Sequence, residues 1–148
     1  MTDRIVSVSR IIPADAATIF ALLSDPRRHA EIDGSDMVQA AKLNAPDRLT
    51  MGATFGMDMR FLGFLPYKIS NEVVEFEEDR RIAWRHFGHH IWRYVLEPVD
   101  EASTNVTESF EWGTARLPIA YQWAGYPKAH LGNVTRTLEK LEQVLTAP

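Results

Sequence analysis

Glu72, His86, Tyr94 and Glu108 set two carboxylates, an imidazole and a phenol into a stretch, Ser70 to Trp112, that is otherwise rich in aromatic and branched side chains. A carboxylate beside an imidazole raises its basicity and orients it for proton transfer. A carboxyl buried without a donor must shift its pKa or find one. Groups of this kind among aromatics describe an apolar pocket with a few placed polar atoms, the composition of a small-molecule site.

The stretch alternates with a period of two, which indicates strands: Lys68 to Glu77, Arg81 to Phe87, Ile91 to Pro98 and Thr104 to Trp112. A slip of one residue would turn every side chain to the other face, so the apolar pattern selects the register. Opposing Phe76 with Ile82 sets Val74 against Trp84 and Glu72 against His86. A Gly88-His89-His90 loop opposes Phe87 with Ile91, His86 with Trp92, Trp84 with Tyr94 and Ile82 with Leu96. Opposing Leu96 with Val106 sets Tyr94 against Glu108 and Trp92 against Phe110. Two inward rows are expected, Glu72/His86/Trp92/Phe110 and Val74/Trp84/Tyr94/Glu108. Outside lie Arg85 and Arg93, opposed and neutralised by Glu75 and Glu97. Asn105, Thr107, Ser109 and Glu111 face water.

Glu108 interrupts the apolar series Val106, Phe110, Trp112 and is the sharpest candidate, with the Tyr94 hydroxyl as its donor. The two form a structural pair or serve a ligand; a Glu108 that reached solvent at a sheet edge would do neither. Glu72 and His86 read as an acid/base pair or as a plain cross-strand pair. The catalytic candidates are therefore His86, Glu108 and Tyr94. The ligand-contacting candidates are Met57, Met59, Glu72, Trp84, Trp92, Phe110 and Trp112, joined by His130 and Val134 from the last helix. His86, His89 and His90 span a hairpin tip, where they need not converge and no third ligand is evident, so no metal is expected. Gly113 and Gly125 are isolated and form no phosphate loop, and no nucleotide or other cofactor is expected.

The elements that must position these groups follow from local signals. Arg4 to Ile12 is a strand ended by Pro13, and Asp15 caps a helix with an Ile19, Phe20, Leu22, Leu23 stripe. Asp25-Pro26 stops that helix, and Pro26 opens a shorter one to about Glu31. Met37 to Leu43 is a weak strand, and Phe55, Met57, Met59 and Phe61 alternate in the next. A final helix starts at Pro127, with Leu131, Val134, Leu138, Leu141 and Leu145 at helical spacing. The order is β-α-α-β(six)-α. Thr114 to Tyr126 either gates the pocket or packs.

The 148 residues, 45% hydrophobic and 24% charged, describe one ordinary globular domain over 1–148, a monomer or homodimer. A net charge of -4 argues against nucleic acid, and the lack of cysteine excludes disulfides. No apolar run approaches the roughly 20 residues that cross a bilayer, so membrane insertion is not expected and the cytoplasm is the expected location.

Several phrases carry a family resemblance. They are Ile12-Pro13-Ala14 leading into Ile19 to Pro26, Val74-Glu75-Phe76-Glu77 with Arg81 to Arg85, Trp92 to Pro98, Thr107 to Phe110, and Thr137 to Leu141. The chain resembles the START-related, pollen-allergen-like (SRPBCC) superfamily, and within it the bacterial polyketide cyclase/dehydrase and lipid-transport branch. It departs at Ile32, where such proteins often carry tryptophan. The resemblance implies an α+β helix-grip fold, with a curved antiparallel sheet around the long C-terminal helix and an internal cavity. It implies a small hydrophobic ligand that is lipid-, sterol- or polyketide-like, and it transfers no catalytic motif. Three functions follow: a cavity binder, a cyclase/dehydratase using His86 or Glu108 with Tyr94, or a regulatory or chaperone-partner domain with an exposed patch among Leu62, Phe64, Leu65, Leu117 and Ile119.

Overall fold

The computed structural model describes residues 5–33, 38–41, 46–61, 65–86, 90–112 and 126–146. Strand β1 (Ile5–Ile12) ends at Pro13, and Asp15 takes the extended N-cap conformation ahead of α1 (Ala16–Leu23). At Asp25-Pro26 the Asp25 carboxylate accepts the Arg27 backbone N–H at 3.0 Å. This starts a 3-10 turn, Pro26–Arg28, that runs into α2 (His29–Ile32). Strands β2 (Val38–Ala41), β3 (Thr54–Phe61), β4 (Leu65–Glu77), β5 (Arg81–His86), β6 (Ile91–Asp100) and β7 (Ser103–Glu111) follow, then α3 (Tyr126–Thr146). The order is the expected β-α-α-β(six)-α.

The seven strands form one antiparallel sheet in the order β1-β7-β6-β5-β4-β3-β2, curled into a half-barrel in the helix-grip manner. Helix α3 packs on β1, β7 and α2, burying Val134, Thr137, Leu138 and Leu141. Leu131, expected in that stripe, is 46% exposed. It lies about 60° around the helix from Val134, at the margin of the apolar face. No helix among the described residues is long and apolar enough to cross a membrane.

The β6–β7 register is the expected one, with Leu96 opposite Val106, Tyr94 opposite Glu108 and Trp92 opposite Phe110. The β4–β5 register is not. Phe76 opposes Ile82, but a bulge between Val73 and Glu75 then sets Val73 against Trp84, Glu72 against Arg85 and Asn71 against His86. Glu72 therefore lies on the outer face, accepting from Arg85 Nη2 at 2.8 Å, and buried Asn71 takes the inward place expected for it. The β5–β6 hairpin is shifted by two residues: Trp84 opposes Trp92, Ile82 opposes Tyr94, and the His86 N–H donates to the His90 carbonyl at 3.0 Å. Two residues make one full period, so every side chain keeps its face.

That shift removes the expected arginine clash, because Arg93 opposes Ala83 instead of Arg85. Arg93 grips Glu75 through both carboxylate oxygens, at 2.6 Å from Nη2, and reaches Glu111 at 3.3 Å; Glu111, not Glu97, is its second acid. Ser109, expected to face water, is buried in the row between Arg93 and Ser7, whose hydroxyl lies 3.1 Å from its own. Bonding to Arg93 holds the Glu75 carboxyl below its usual range. The stability from this grip is present above pH 4.5 and lost as the pH falls through the lowered folded value. Arg93→Ala is expected to cost about 1–2 kcal/mol in urea unfolding at pH 7, and Arg93→Lys to recover less than half, since lysine lacks the planar fork.

Candidate functional site

Cross-strand pairing builds two rows on the concave face. One runs Val73, Trp84, Trp92, Phe110, Val6, and the next Phe76, Ile82, Tyr94, Glu108, Val8. Glu108 is only 2% exposed and Tyr94 4%. The Tyr94 hydroxyl donates to the Glu108 carboxyl. The second oxygen, Glu108 Oε2, is buried and has no hydrogen-bond partner among the described residues. Burial pushes the Glu108 pKa well above the usual carboxylate range; the Tyr94 bond opposes this, and the negative charge of Asp33 at the end of α2 adds to it. Burial and then Glu108 push the Tyr94 phenol up in the same way. The fold thus favours a protonated acid beside a protonated phenol, a pair able both to donate and to accept.

Trp84 connects this pair to α2. Its indole lies 5.7 Å from the Tyr94 ring, meets Phe55 edge-on, and stacks on His29 at 4.8 Å and 19°. His29 was not singled out from the sequence. It lies 55 residues before Trp84, in a four-residue helix too short to show a period, so only the folded packing reveals it. It is buried, and Nε2 meets the Leu23 carbonyl at 2.8 Å, which requires the proton on Nε2. Burial lowers its pKa below 6.5, against the pull of Leu23. Its neutral form stabilises the fold above pH 6.5, and that contribution is lost as the pH falls toward the depressed folded value. His29→Phe keeps a ring against Trp84 and loses the Leu23 bond. It is expected to be about 1–2 kcal/mol less stable than wild type at pH 7.5, with the gap narrowing by pH 5 in urea titrations.

A second aromatic group lies farther along the face. The rings of His86 and His90 stack at 4.5 Å, His90 lies 5.1 Å from Phe110, and Phe110 contacts Trp92 at 4.6 Å and Trp112 at 6.1 Å. His86 and His90 therefore converge, although the hairpin spacing did not require it. The expected Glu72–His86 acid/base pair does not form, because the bulge sends Glu72 to the outer face. Half-buried His86 has its pKa lowered by burial alone. Among the described residues no three metal-ligating side chains cluster. Trp112 is 5% exposed, and its Nε1 has no hydrogen-bond partner among the described residues.

Met57 is buried beside Phe55 in the main core, Met59 packs against that core half-buried, and Val134 is buried on α3. The side chain of His130, the proposed gate from Thr114 to Tyr126, and residues Leu62, Phe64, His89, Leu117 and Ile119 lie outside the described residues. Leu65 is 53% exposed. An open groove lined by Glu75, Phe76, Glu77, Arg81 and Arg93 follows the β4 bulge, and its arginines are held by Glu75.

Residues 3–146 match the family described as polyketide cyclase / dehydrase and lipid transport. The uncharacterized protein Rv0088 of Mycobacterium tuberculosis is 34% identical over 140 residues. The match takes in 92% of this chain and 62% of that protein, so the chain spans under two thirds of its relative's length. Protein Ms6760 from Mycobacterium smegmatis superposes with a TM-score of 0.73 at 16% identity, over 98% of this chain and 92% of that one. The Polyketide_cyc-like protein Cgl2372 from Corynebacterium glutamicum does so with a TM-score of 0.60 at 22% identity, over 95% and 90%. At these identities the structures speak for the fold alone.

Proposed function

The chain belongs to the polyketide cyclase/dehydrase and lipid-transport family, and from that membership we propose that it binds a small hydrophobic molecule between the sheet and α3, with Glu108 and Tyr94 as the polar anchor. The observation that carries this reading is the unpartnered Glu108 Oε2 on a carboxyl 2% exposed. Nearly all buried polar atoms in folded proteins are paired, and a ligand hydroxyl or carbonyl would complete this one. Trp84, Trp92 and Phe110 supply apolar wall on the same face. Native mass spectrometry of protein purified from its own host, followed by thermal-shift screening of lipids and aromatic polyketides, tests the reading. A retained ligand and stabilisation by its class are expected; protein that is empty and stabilised by none of them overturns it.

The raised pKa of Glu108 favours a second reading, a cyclase or dehydratase in which Glu108 is the general acid and Tyr94 holds the carbonyl. His86 sits two strands away in another row and is no part of that unit. Turnover abolished by Glu108→Gln with binding retained would establish this reading over simple binding.

A further inference from the structure

We propose that β1 is a self-association edge, through which two copies of this chain join their sheets by antiparallel pairing of β1 on β1 about a two-fold axis at Val8. The strand is the last in its sheet and pairs on one side only, with β7. Every second residue of such a strand turns its backbone N–H and C=O away from the neighbour it has. Among the described residues, the one further backbone bond to this strand runs from the Ala14 N–H to the Ile12 carbonyl at 2.8 Å, beyond the stretch Ile5 to Ile11. The opposite edge of the sheet is guarded: β2 has four residues and a break in register between Val38 and Ala40. Strand β1 has eight unbroken residues with no proline or lysine. Its charged residue, Arg10, is neutralised by Glu142 of α3 at 3.1 Å, so the strand lacks the free charges that keep exposed edges apart.

The occupant follows from the strand's own pattern. A two-fold axis normal to the sheet keeps the concave faces of both copies on one side, so the pairing must pivot on a residue and not between two. With Val8 as pivot, Ile5 of one copy opposes Ile11 of the other and Ser7 opposes Ser9, because Ile-Val-Ser-Val-Ser-Arg-Ile reads nearly the same in both directions. Ile5 and Ile11 are 39% and 59% exposed, at the two ends of the outer row, and this pairing covers each with the other. Between them the Ser7 hydroxyl lies 3.1 Å from that of Ser109 and the Ser9 hydroxyl 2.6 Å from that of Thr107. The joint continues the Ser109–Ser7 row of one copy into the Ser9–Thr107 row of the other. Pivots at Ser7 or Ser9 would set isoleucine against serine instead. A second copy therefore matches this edge at every position, which an arbitrary extended segment does not.

A joint this narrow buries less than the interface of a permanent dimer, so a dissociation constant on the order of 10–100 μM is expected. Sedimentation velocity of the full chain from about 5 to 500 μM spans that range and needs no ligand, so its outcome is independent of the binding reading. Ile11→Glu and Ile5→Lys, both at exposed positions, should each weaken the dimer about tenfold or more while leaving urea unfolding of the dilute protein nearly unchanged. Combined in one chain they set opposite charges against each other across the joint, at positions too far apart to meet within one copy. About threefold or more of the affinity should then return at roughly 20 mM salt and vanish at about 500 mM. Ile11→Ser stands in should a charged variant not fold. A protein that stays monomeric throughout overturns the proposal, even if it captures an extended peptide at this edge. So does a dimer that both single variants leave intact. Weakening by both single variants with no recovery in the combination overturns the Val8 pairing.

Discussion

Glu108→Gln is expected to flatten the dependence of stability on pH, matching wild type near pH 4 and exceeding it by about 1–3 kcal/mol at pH 8. The sign follows from the direction of the shift. In the unfolded chain the carboxyl ionises near 4.5, whereas burial and Asp33 hold its folded pKa well above that. Its stabilising contribution is therefore complete below pH 4.5 and is lost as the pH rises through the raised folded value. Glutamine never ionises, can accept from Tyr94, and fills the same volume. Urea unfolding at half-unit steps between pH 4 and 8 reads the difference directly. His29 contributes a slope of the opposite sign, but it is common to both proteins and cancels in the comparison. An unchanged slope in the variant would mean that Glu108 is ionised and paired in the fold, and the neutral-acid chemistry assigned to the site would go with it.

The order of elements was legible because each boundary carries its own local chemistry. Pro13, Asp25-Pro26 and Pro127 each stop or start an element whatever lies around them. The β6–β7 register was legible because alternation runs unbroken through β7, leaving one pairing that buries Val106 and Phe110 together. In β4 the adjacent valines Val73 and Val74 suit either face, so nothing local marks the bulge, and Glu72 was carried inward by an alternation that the backbone interrupts. The two-residue shift of the β5–β6 hairpin was invisible for another reason: it conserves every face, so hydrophobic patterning cannot detect it. The short helix after Asp25-Pro26 was legible, but the strand pattern could not disclose that α2 packs onto the site. Asp33 and His29 reach the site across a tertiary contact, and they change the meaning of Glu108 and Trp84 from odd residues in a strand to parts of one buried assembly.

That assembly predicts the second large effect, in which Trp84→Ala lowers stability by about 2–4 kcal/mol and also disturbs Glu108. Trp84 is only half-buried, so its transfer from water accounts for part of the loss; the rest comes from three ring contacts that vanish together, with His29, Phe55 and Tyr94. Water entering beside His29 should raise its pKa back toward 6.5, which an NMR titration of the imidazole would show. Tyr94, no longer held against the indole, should release part of its bond to Glu108. The consequence is non-additivity: combining Trp84→Ala with Glu108→Gln should cost less, or gain more, than the sum of the single changes by about 0.5–1 kcal/mol. Trp84→Phe, which restores one ring, should recover roughly half of the stability. Strict additivity with an unmoved His29 titration would show that Trp84 merely fills space. Coupling would show that the line from Phe55 through His29, Trp84 and Tyr94 holds the Glu108 carboxyl in place, so that the proposed polar anchor is set by residues on four different elements.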